Sequence, residues 1–129
     1  MNVFDITEIE DTVAEVLSGL KLGCKIYRNR PKSGPQAESF AVTKVSGGVE
    51  DYGTYGECTV LVYLFARNAG NMKNGRLLSA MYRKVIEGLP AVSGRLLFDN
   101  MPSVIGDTED DFGFTCRIVS VKTTVKVNQ

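Results

Sequence analysis

The stretch Glu57-Cys-Thr-Val-Leu-Val-Tyr-Leu-Phe-Ala66 is followed by the polar segment Arg67-Asn-Ala-Gly-Asn-Met-Lys-Asn74 and then by Gly75-Arg-Leu-Leu-Ser-Ala-Met-Tyr-Arg-Lys-Val-Ile-Glu-Gly-Leu89. The first part is rich in β-branched and aromatic residues, which favour strands. The third part repeats its apolar residues at helical spacing. A buried strand that leads through a short loop into an amphipathic helix predicts a two-layer core of sheet and helix.

The predicted strand at residues 57–66 is largely apolar on both of its faces. Alternate residues form these faces, which are Cys58, Val60, Val62 and Leu64 on one side and Thr59, Leu61, Tyr63 and Phe65 on the other. One helical layer covers only one face. The second face therefore needs either the N-terminal helix or a neighbouring subunit to cover it.

The rest of the chain supplies one more predicted helix and four more strands. These are a helix at 5–20, strands at 24–30 and 39–45, and, after the central stretch, strands at 94–98 and 114–127. The order α-β-β-β-α-β-β predicts an α+β fold with a mixed or antiparallel sheet packed with two helices. Strands 39–45 and 57–66 are expected to pair antiparallel because their connection is short. With 129 residues and no linker, residues 1–129 are expected to form a single domain.

Two segments are predicted to be loops by composition. Pro31–Pro35 contains two prolines and a glycine, and Asp99–Gly113 contains Pro102, Gly106 and a run of acidic residues. In the last strand, Ile118, Val119 and Val121 cannot share one face. This slip in the alternation predicts a bulge or an edge-to-centre change at that point.

Composition excludes several classes of protein. Fifteen basic and fifteen acidic residues cancel, whereas dedicated nucleic-acid binders usually carry a basic excess. The N-terminus lacks the pattern of a signal peptide, and no apolar run approaches the length of a membrane span. The three cysteines are widely spaced and are expected to be free thiols in a reducing compartment. We therefore expect a chain that is cytoplasmic when synthesised and that has no membrane partner.

Catalytic chemistry has little support in the sequence. Histidine, the commonest general base at neutral pH, is absent, and no enzyme activity or cofactor is expected. The acidic run Asp107–Asp111 offers carboxylates to a divalent cation, but it lacks the ligand spacing of a calcium-binding loop. A solvated acidic loop is favoured over a metal site, and the question stays open.

A basic stretch at residues 21–32 and an acidic run at residues 107–111 lie far apart in this neutral chain. Patches of opposite sign are what a head-to-tail contact between identical subunits requires, although two unrelated solvated loops would give the same pattern. Tyrosines before the central strand add to the hypothesis because tyrosine is enriched at interfaces. The candidate subunit interface comprises Lys25, Arg28, Arg30, Lys32, Tyr52, Tyr55, Asp107, Glu109, Asp110 and Asp111.

The order of elements resembles that of the tail terminator, or tail completion, proteins of long-tailed bacteriophages. The resemblance rests on the N-terminal helix, the proline-containing loop, the hairpin that ends in Thr59-Val-Leu-Val-Tyr-Leu-Phe65, and the helix near residues 74–88. It implies a non-enzymatic protein that forms a ring, commonly a hexamer, at the head-proximal end of the tail. The implied partners are the tail tube protein and head connector proteins, and the implied destination is a virion or phage-like particle.

Two other functions remain as alternatives. The first is a small binding module that contacts nucleic acid through the basic residues Lys21, Lys25, Arg28, Arg30 and Lys32. The second is a hydrolase that acts through the acidic run and a divalent ion. Salt separates the first alternative from a ring, because affinity that depends on phosphate contacts falls steeply with ionic strength.

Overall fold

Two helices and a seven-stranded sheet make up the part of the chain that the structure describes. The computed structural model describes residues 5–28, 37–89, 91–93, 96–98, 102–110 and 112–126. The elements are α1 (Ile6–Gly19), β1 (Lys25–Tyr27), β2 (Ser39–Asp51), β3 (Tyr55–Arg67), α2 (Gly75–Gly88), β4 (Ala91–Ser93), β5 (Leu96–Phe98), β6 (Ser103–Glu109) and β7 (Phe114–Lys126). The predicted loop Pro31–Pro35 and the candidate residues Arg30, Lys32 and Asp111 lie outside the described residues.

The sheet is mixed, which is one of the two arrangements that the sequence predicted. Its strand order is β1-β2-β3-β7-β5-β4, and β6 pairs with β7 on the same side as β5. Only the β1–β2 pair among these strands is parallel. The predicted antiparallel pairing of β2 with β3 is confirmed, and β3 pairs with β7 without a register shift from Tyr55↔Lys126 to Arg67↔Phe114.

Each helix begins at a side-chain cap and buries one stripe of residues. The Asp5 carboxylate accepts a hydrogen bond of 2.9 Å from the Thr7 N–H at the start of α1, and the Asn74 side chain accepts one of 3.2 Å from the Leu77 N–H at the start of α2. Both caps satisfy backbone donors that have no partner inside the helix. The buried residues are Ile9, Val13 and Leu17 in α1 and Leu78, Met81 and Val85 in α2.

Both helices pack on the same face of the sheet. Their buried residues join Val60, Val62 and Leu64 of β3 in one apolar cluster. The opposite face of β3, which carries Leu61, Tyr63 and Phe65, contributes to a second and smaller cluster in which neither helix takes part. The N-terminal helix therefore does not cover the second face, and one of the two alternatives offered by the sequence is wrong.

The prediction that Asp99–Gly113 is a loop was wrong for its centre. Ser103–Glu109 forms β6, which pairs with the first half of β7. The acidic residues of β6 were interpreted as a loop, because a carboxylate is unfavourable in a strand without a partner. In the structure Asp107 lies opposite Arg117 on β7, and the two charges attract each other. The short strand β4 was also missed, and the β2–β3 hairpin is longer than expected, since its strands extend to Asp51 and from Tyr55.

The sequence predicted a bulge or a change of position in the last strand, β7, and the structure has a register shift in its neighbour β6 instead. The register shift falls in β6, between Val104 and Gly106, while β7 stays regular against β3. The neighbour of β7 changes at this point from β6, which ends its pairing at Ser120, to β5, which begins at Thr123. Apolar residues appear on both faces of β7 because both apolar clusters use it.

Candidate assembly surface

The side of the sheet opposite the two helices is the surface of interest. Cross-strand register places Val42, Tyr63 and Ile118 side by side on β2, β3 and β7, and the next row carries Lys44 and Leu61. We call this side the open face. Its apolar residues in these two rows are half-buried for the most part, in contrast to the fully buried residues on the helix-covered face.

A cluster of aromatic rings closes one end of the open face. The rings of Phe40 and Phe65 stack with centroids 4.4 Å apart, and Phe114 meets Phe40 edge-on at 5.1 Å. Tyr27 of β1 approaches Phe40 in the same edge-on manner at 5.9 Å. The Arg67 guanidinium lies 4.6 Å from the centre of the Phe114 ring, a cation–π contact. This end of the open face is therefore packed as a small core.

A groove of about 680 Å³ runs beside the aromatic cluster. Its floor is apolar and is formed by Val42, Tyr63, Phe65, Cys116 and Ile118. Since β3 and β7 lie at its centre, the β1–β2 side and the β6 side form opposite rims. The first rim carries Arg28 and Lys44 together with Glu10 of α1, and the second carries Glu109 and Asp110. The groove thus has an apolar floor between a rim of mixed charge and an acidic rim.

The N-terminal part of α1 closes the edge of β2 next to this groove. In the described part of the chain, strand β1 pairs with Phe40 to Val42 of β2, and no other described strand pairs with β2 on that side beyond Val42. The Glu10 carboxylate accepts a hydrogen bond of 2.9 Å from the Val45 N–H, and the Glu10 carbonyl accepts one from the Thr43 hydroxyl at 3.4 Å. A side chain that occupies an edge donor blocks pairing with another strand at that position.

The tip of the β2–β3 hairpin presents a second candidate surface. The rings of Tyr52 and Tyr55 stack with centroids 5.1 Å apart, and the two residues are 50% and 38% exposed. The Tyr52 hydroxyl donates to the Glu50 carboxylate, which raises the pKa of Tyr52 to about 12. Gly53, at a φ of 92°, completes the turn, and its N–H donates to the Asp51 carboxylate at 2.8 Å. The exposed aromatic pair is therefore held in a defined geometry.

The acidic run is divided between two sides of the sheet. The Asp107 carboxylate accepts hydrogen bonds from Arg117 Nε at 2.8 Å and Nη2 at 3.0 Å, and from Lys73 Nζ at 3.0 Å. Hydrogen bonding to Arg117 is the main cause that lowers the Asp107 pKa to about 2. Arg117 also donates to the Ser79 hydroxyl of α2 at 3.2 Å, so this ion pair ties β6 and β7 to the helix layer.

The remaining acidic residues have different surroundings. The Asp110 carboxylate accepts backbone hydrogen bonds from Phe112 at 2.8 Å and Phe114 at 3.0 Å, which shapes the turn before β7. Glu109 is exposed on the rim of the groove. Of the acidic residues proposed for the interface, Asp107 is thus compensated within the chain, while Glu109 and Asp110 border the groove.

The basic residues of the predicted interface are also partly compensated. Arg28 forms an exposed ion pair with Asp11 of α1, and this hydrogen-bonded carboxylate raises the Arg28 pKa. The Lys25 ammonium lies 5.5 Å from the centre of the Tyr27 ring. Sequence reasoning missed the most informative neighbour, Lys44, because an isolated lysine in a strand gives no signal until the register places it beside the groove.

A further basic surface lies on α2 and was not anticipated. Arg76, Ser79, Ala80 and Arg83 share one side of the helix with Arg117 of β7 and line a shallow groove. Helical spacing of Arg76 and Arg83 was visible in the sequence. Arg117 became part of the same surface only through the pairing of β7 with β3.

Two negative findings apply to the described residues. Neither α1 nor α2 is long and apolar enough to cross a membrane. Within the same described ranges, His, Cys, Asp and Glu side chains form no group of three or more that could hold a metal ion.

Comparison with known proteins gives a structural likeness and no sequence family. No family model matches the sequence, and no curated protein matches it either. Among solved structures, the chain is similar to a chain described as "Virion of native gene transfer agent (GTA) particle". The TM-score is 0.59 at 11% sequence identity, over 96% of this chain and 99% of that chain. At this identity the likeness shows a shared fold, which extends over nearly the whole of both chains.

Proposed function

We propose that this protein is a non-enzymatic structural component of a virion or phage-like particle. The observation that carries the proposal is the shared fold with a chain of a gene transfer agent virion over nearly the full length of both. The absence of histidine from the sequence agrees with a structural role, because it removes the commonest acid–base catalyst at neutral pH.

The more specific role that we propose is that of a tail terminator, or tail completion, protein. Such a protein forms a ring at the head-proximal end of the tail and joins the tail to the head, with the tail tube protein and head connector proteins as partners. The half-buried apolar residues of the open face support this role, since a subunit that assembles needs a surface for another chain to cover. The proposed number of subunits in the ring, six, comes from the resemblance to the tail terminator proteins of long-tailed bacteriophages.

Assembly of the purified chain tests the ring. Native mass spectrometry and negative-stain imaging over a wide range of protein concentration are expected to show a closed ring. The same measurements are repeated with purified tail tubes encoded by neighbouring genes, in case the ring forms only on a tail end. A chain that stays monomeric in both series, and that does not bind the tubes, would contradict the proposed role.

Nucleic-acid binding through residues 21–32 is the function to separate from this one. Arg28 is paired with Asp11, which reduces the net positive field of the stretch. Titration with a labelled duplex at 50 and 200 mM salt, as test conditions chosen to span a steep change in phosphate-dependent affinity, distinguishes the two. Tight binding that is lost at the higher salt would favour the nucleic-acid module over the ring.

A further inference from the structure

We propose that the sheet of one copy continues into the sheet of the next, through antiparallel pairing of β6 in the first copy with β1 in the second. This inference rests on the proposed ring, because it names the two edges through which identical subunits meet. It assigns one occupant, a second copy of this chain, to each edge.

Both strands have one edge to offer. In the described part of the chain, β1 pairs with β2 alone and β6 pairs with β7 alone. The Glu10 carboxylate occupies the Val45 N–H on the edge of β2, which leaves β1 as the strand that ends this side of the sheet. An edge strand presents unpaired N–H and C=O groups, and these groups are a template for pairing with another chain.

Strand β6 lacks two features that usually protect an edge. Its sequence, Ser103-Val-Ile-Gly-Asp-Thr-Glu109, contains neither lysine nor proline. Val104 and Ile105 are 41% and 61% exposed, so part of the apolar surface of this strand faces water. A register shift separates Val104 from Gly106, and residues 106–109 therefore form the regular part that is available for pairing.

The two edges lie at opposite ends of the same cross-strand rows. Pairing across β1, β2, β3, β7 and β6 gives the rows Lys25↔Phe40↔Phe65↔Cys116↔Thr108 and Tyr27↔Val42↔Tyr63↔Ile118↔Gly106. Strands β1 and β6 run in opposite directions, because β1 is parallel to β2 and three antiparallel pairs follow. A neighbour that continues the sheet with its helices on the same side therefore places β1 beside β6 at the same level and in the antiparallel sense.

The width of the sheet makes the contact intermolecular. Four steps between neighbouring strands, at roughly 4.8 Å each, separate Lys25 from Thr108 by about 19 Å within one chain. In the joined sheet the same two residues face each other across a single step. Since two different edges of identical subunits meet, the contact is head to tail, and it closes into a ring when the rotation permits.

The charges at the two edges are compatible with this pairing. Arg28 and Asp107 are each paired within the chain, so the contact does not depend on them. Lys25 on β1 and Glu109 on β6 are both exposed. Glu109 lies one residue beyond Thr108, so the joined sheet brings its carboxylate diagonally opposite Lys25, where the two charges attract.

Disulfide trapping tests the pairing. The variants Lys25→Cys and Thr108→Cys are made in full chains that also carry Cys24→Ser, which leaves only the buried Cys58 and Cys116 as native thiols. Opposite residues of paired strands lie within the roughly 7 Å between Cα atoms that a disulfide can span. Circular dichroism and thermal melting establish that each variant is folded.

The variants are oxidised in pairs, alone and with purified tail tubes. The mixture of Lys25→Cys and Thr108→Cys is expected to give at least about tenfold more disulfide-linked heterodimer than a control mixture of Thr108→Cys with Met72→Cys. Met72 is exposed and lies on neither edge, so it is the matched control. Equal yields from the two mixtures overturn the inference. A homodimer of Thr108→Cys in excess of the heterodimer also overturns it, because β6 would then pair with itself.

Hydrogen exchange gives a second measurement, made with the unmodified chain. Peptides that contain residues 25–28 and 106–109 are expected to exchange at least about tenfold more slowly in the assembled protein than in the monomer, because a paired N–H exchanges only when the contact opens. Unchanged exchange at both strands in an assembled ring removes this pairing and leaves the proposed function standing. A chain that neither self-associates nor binds tail tubes contradicts the proposed function as well.

Discussion

The helix-covered face and the open face of the sheet are made by alternate residues of the same strands, yet they differ in burial. On β3, Val62 and Leu64 are 0% exposed beneath the helices, while Leu61 and Tyr63 are half-buried on the other side. Both sets are apolar. Composition therefore indicates which residues avoid water, but the packing of the helices decides which face the monomer itself covers.

The largest expected effect lies at the aromatic end of the open face. Phe40→Ala should lower the free energy of unfolding by about 4 kcal/mol, because it deletes a fully buried ring in contact with three others. Urea denaturation measures the change. Tyr52→Ala serves as the control, since it removes an exposed ring and should have little effect on stability. A loss below about 1 kcal/mol for Phe40→Ala would mean that this end is as loosely covered as the rest of the open face.

A pair of leucines compares the two faces directly. Leu64→Ala should cost about 3 kcal/mol, since the site is fully buried between β3 and the helices. Leu61→Ala, on the open face of the same strand, should cost about 1 kcal/mol because less surface leaves water when the chain folds. The midpoints and slopes of urea unfolding curves give both values, measured at a concentration where the chain is monomeric. Equal losses would show that the monomer covers both faces alike.

The smallest expected effect concerns the ion pair on the helix-covered side. The Asp107 pKa is lowered from 3.8 to about 2, so the unfolded chain takes up the proton at higher pH than the folded chain does. The stabilisation is complete above the unfolded pKa and is lost as pH falls from about 4 to 2. Because the pair is partly exposed to solvent, we expect about 1 kcal/mol.

Thermal melting between pH 5 and 2 follows this loss. The variant Asp107→Asn should remove the part of the pH dependence that comes from the ion pair and should be less stable than the unmodified chain at pH 5. The matched control Glu109→Gln, on the same strand and exposed, should keep it. If the unmodified chain and Asp107→Asn show the same pH dependence, the ion pair does not stabilise the fold.

The sequence predicted the elements that have strong local patterns. Both helices follow from the spacing of their apolar residues, and the antiparallel pairing of β2 with β3 follows from the short connection between them. Strand β6 was missed because its pairing partner is supplied from further along the chain, and the attraction between Asp107 and Arg117 appears only in the register. Its acidic residues taken alone resemble a loop.

The sequence identified individual residues of the candidate interface but not their arrangement in space. The sequence showed Tyr52 and Tyr55 only as residues before the central strand; in the structure Tyr55 begins β3, and the two rings stack at the tip of the hairpin. The approach of Arg28 and Glu109 to opposite rims of one groove depends on pairing across five strands, and no local pattern encodes it. The role of these residues in contacts between subunits stays a prediction.

The place of β7 in the sheet has a consequence for folding kinetics. This strand follows all the others in sequence, but it lies between β3 on one side and β5 and β6 on the other. Tyr55 pairs with Lys126 and Gly56 with Val125, so the chain must close long loops before these contacts form, and such topologies fold slowly. The hairpin of β2 and β3 can form early, but β5 and β6 are joined to the rest of the sheet only when residues 114–126 dock between β3 and these two strands.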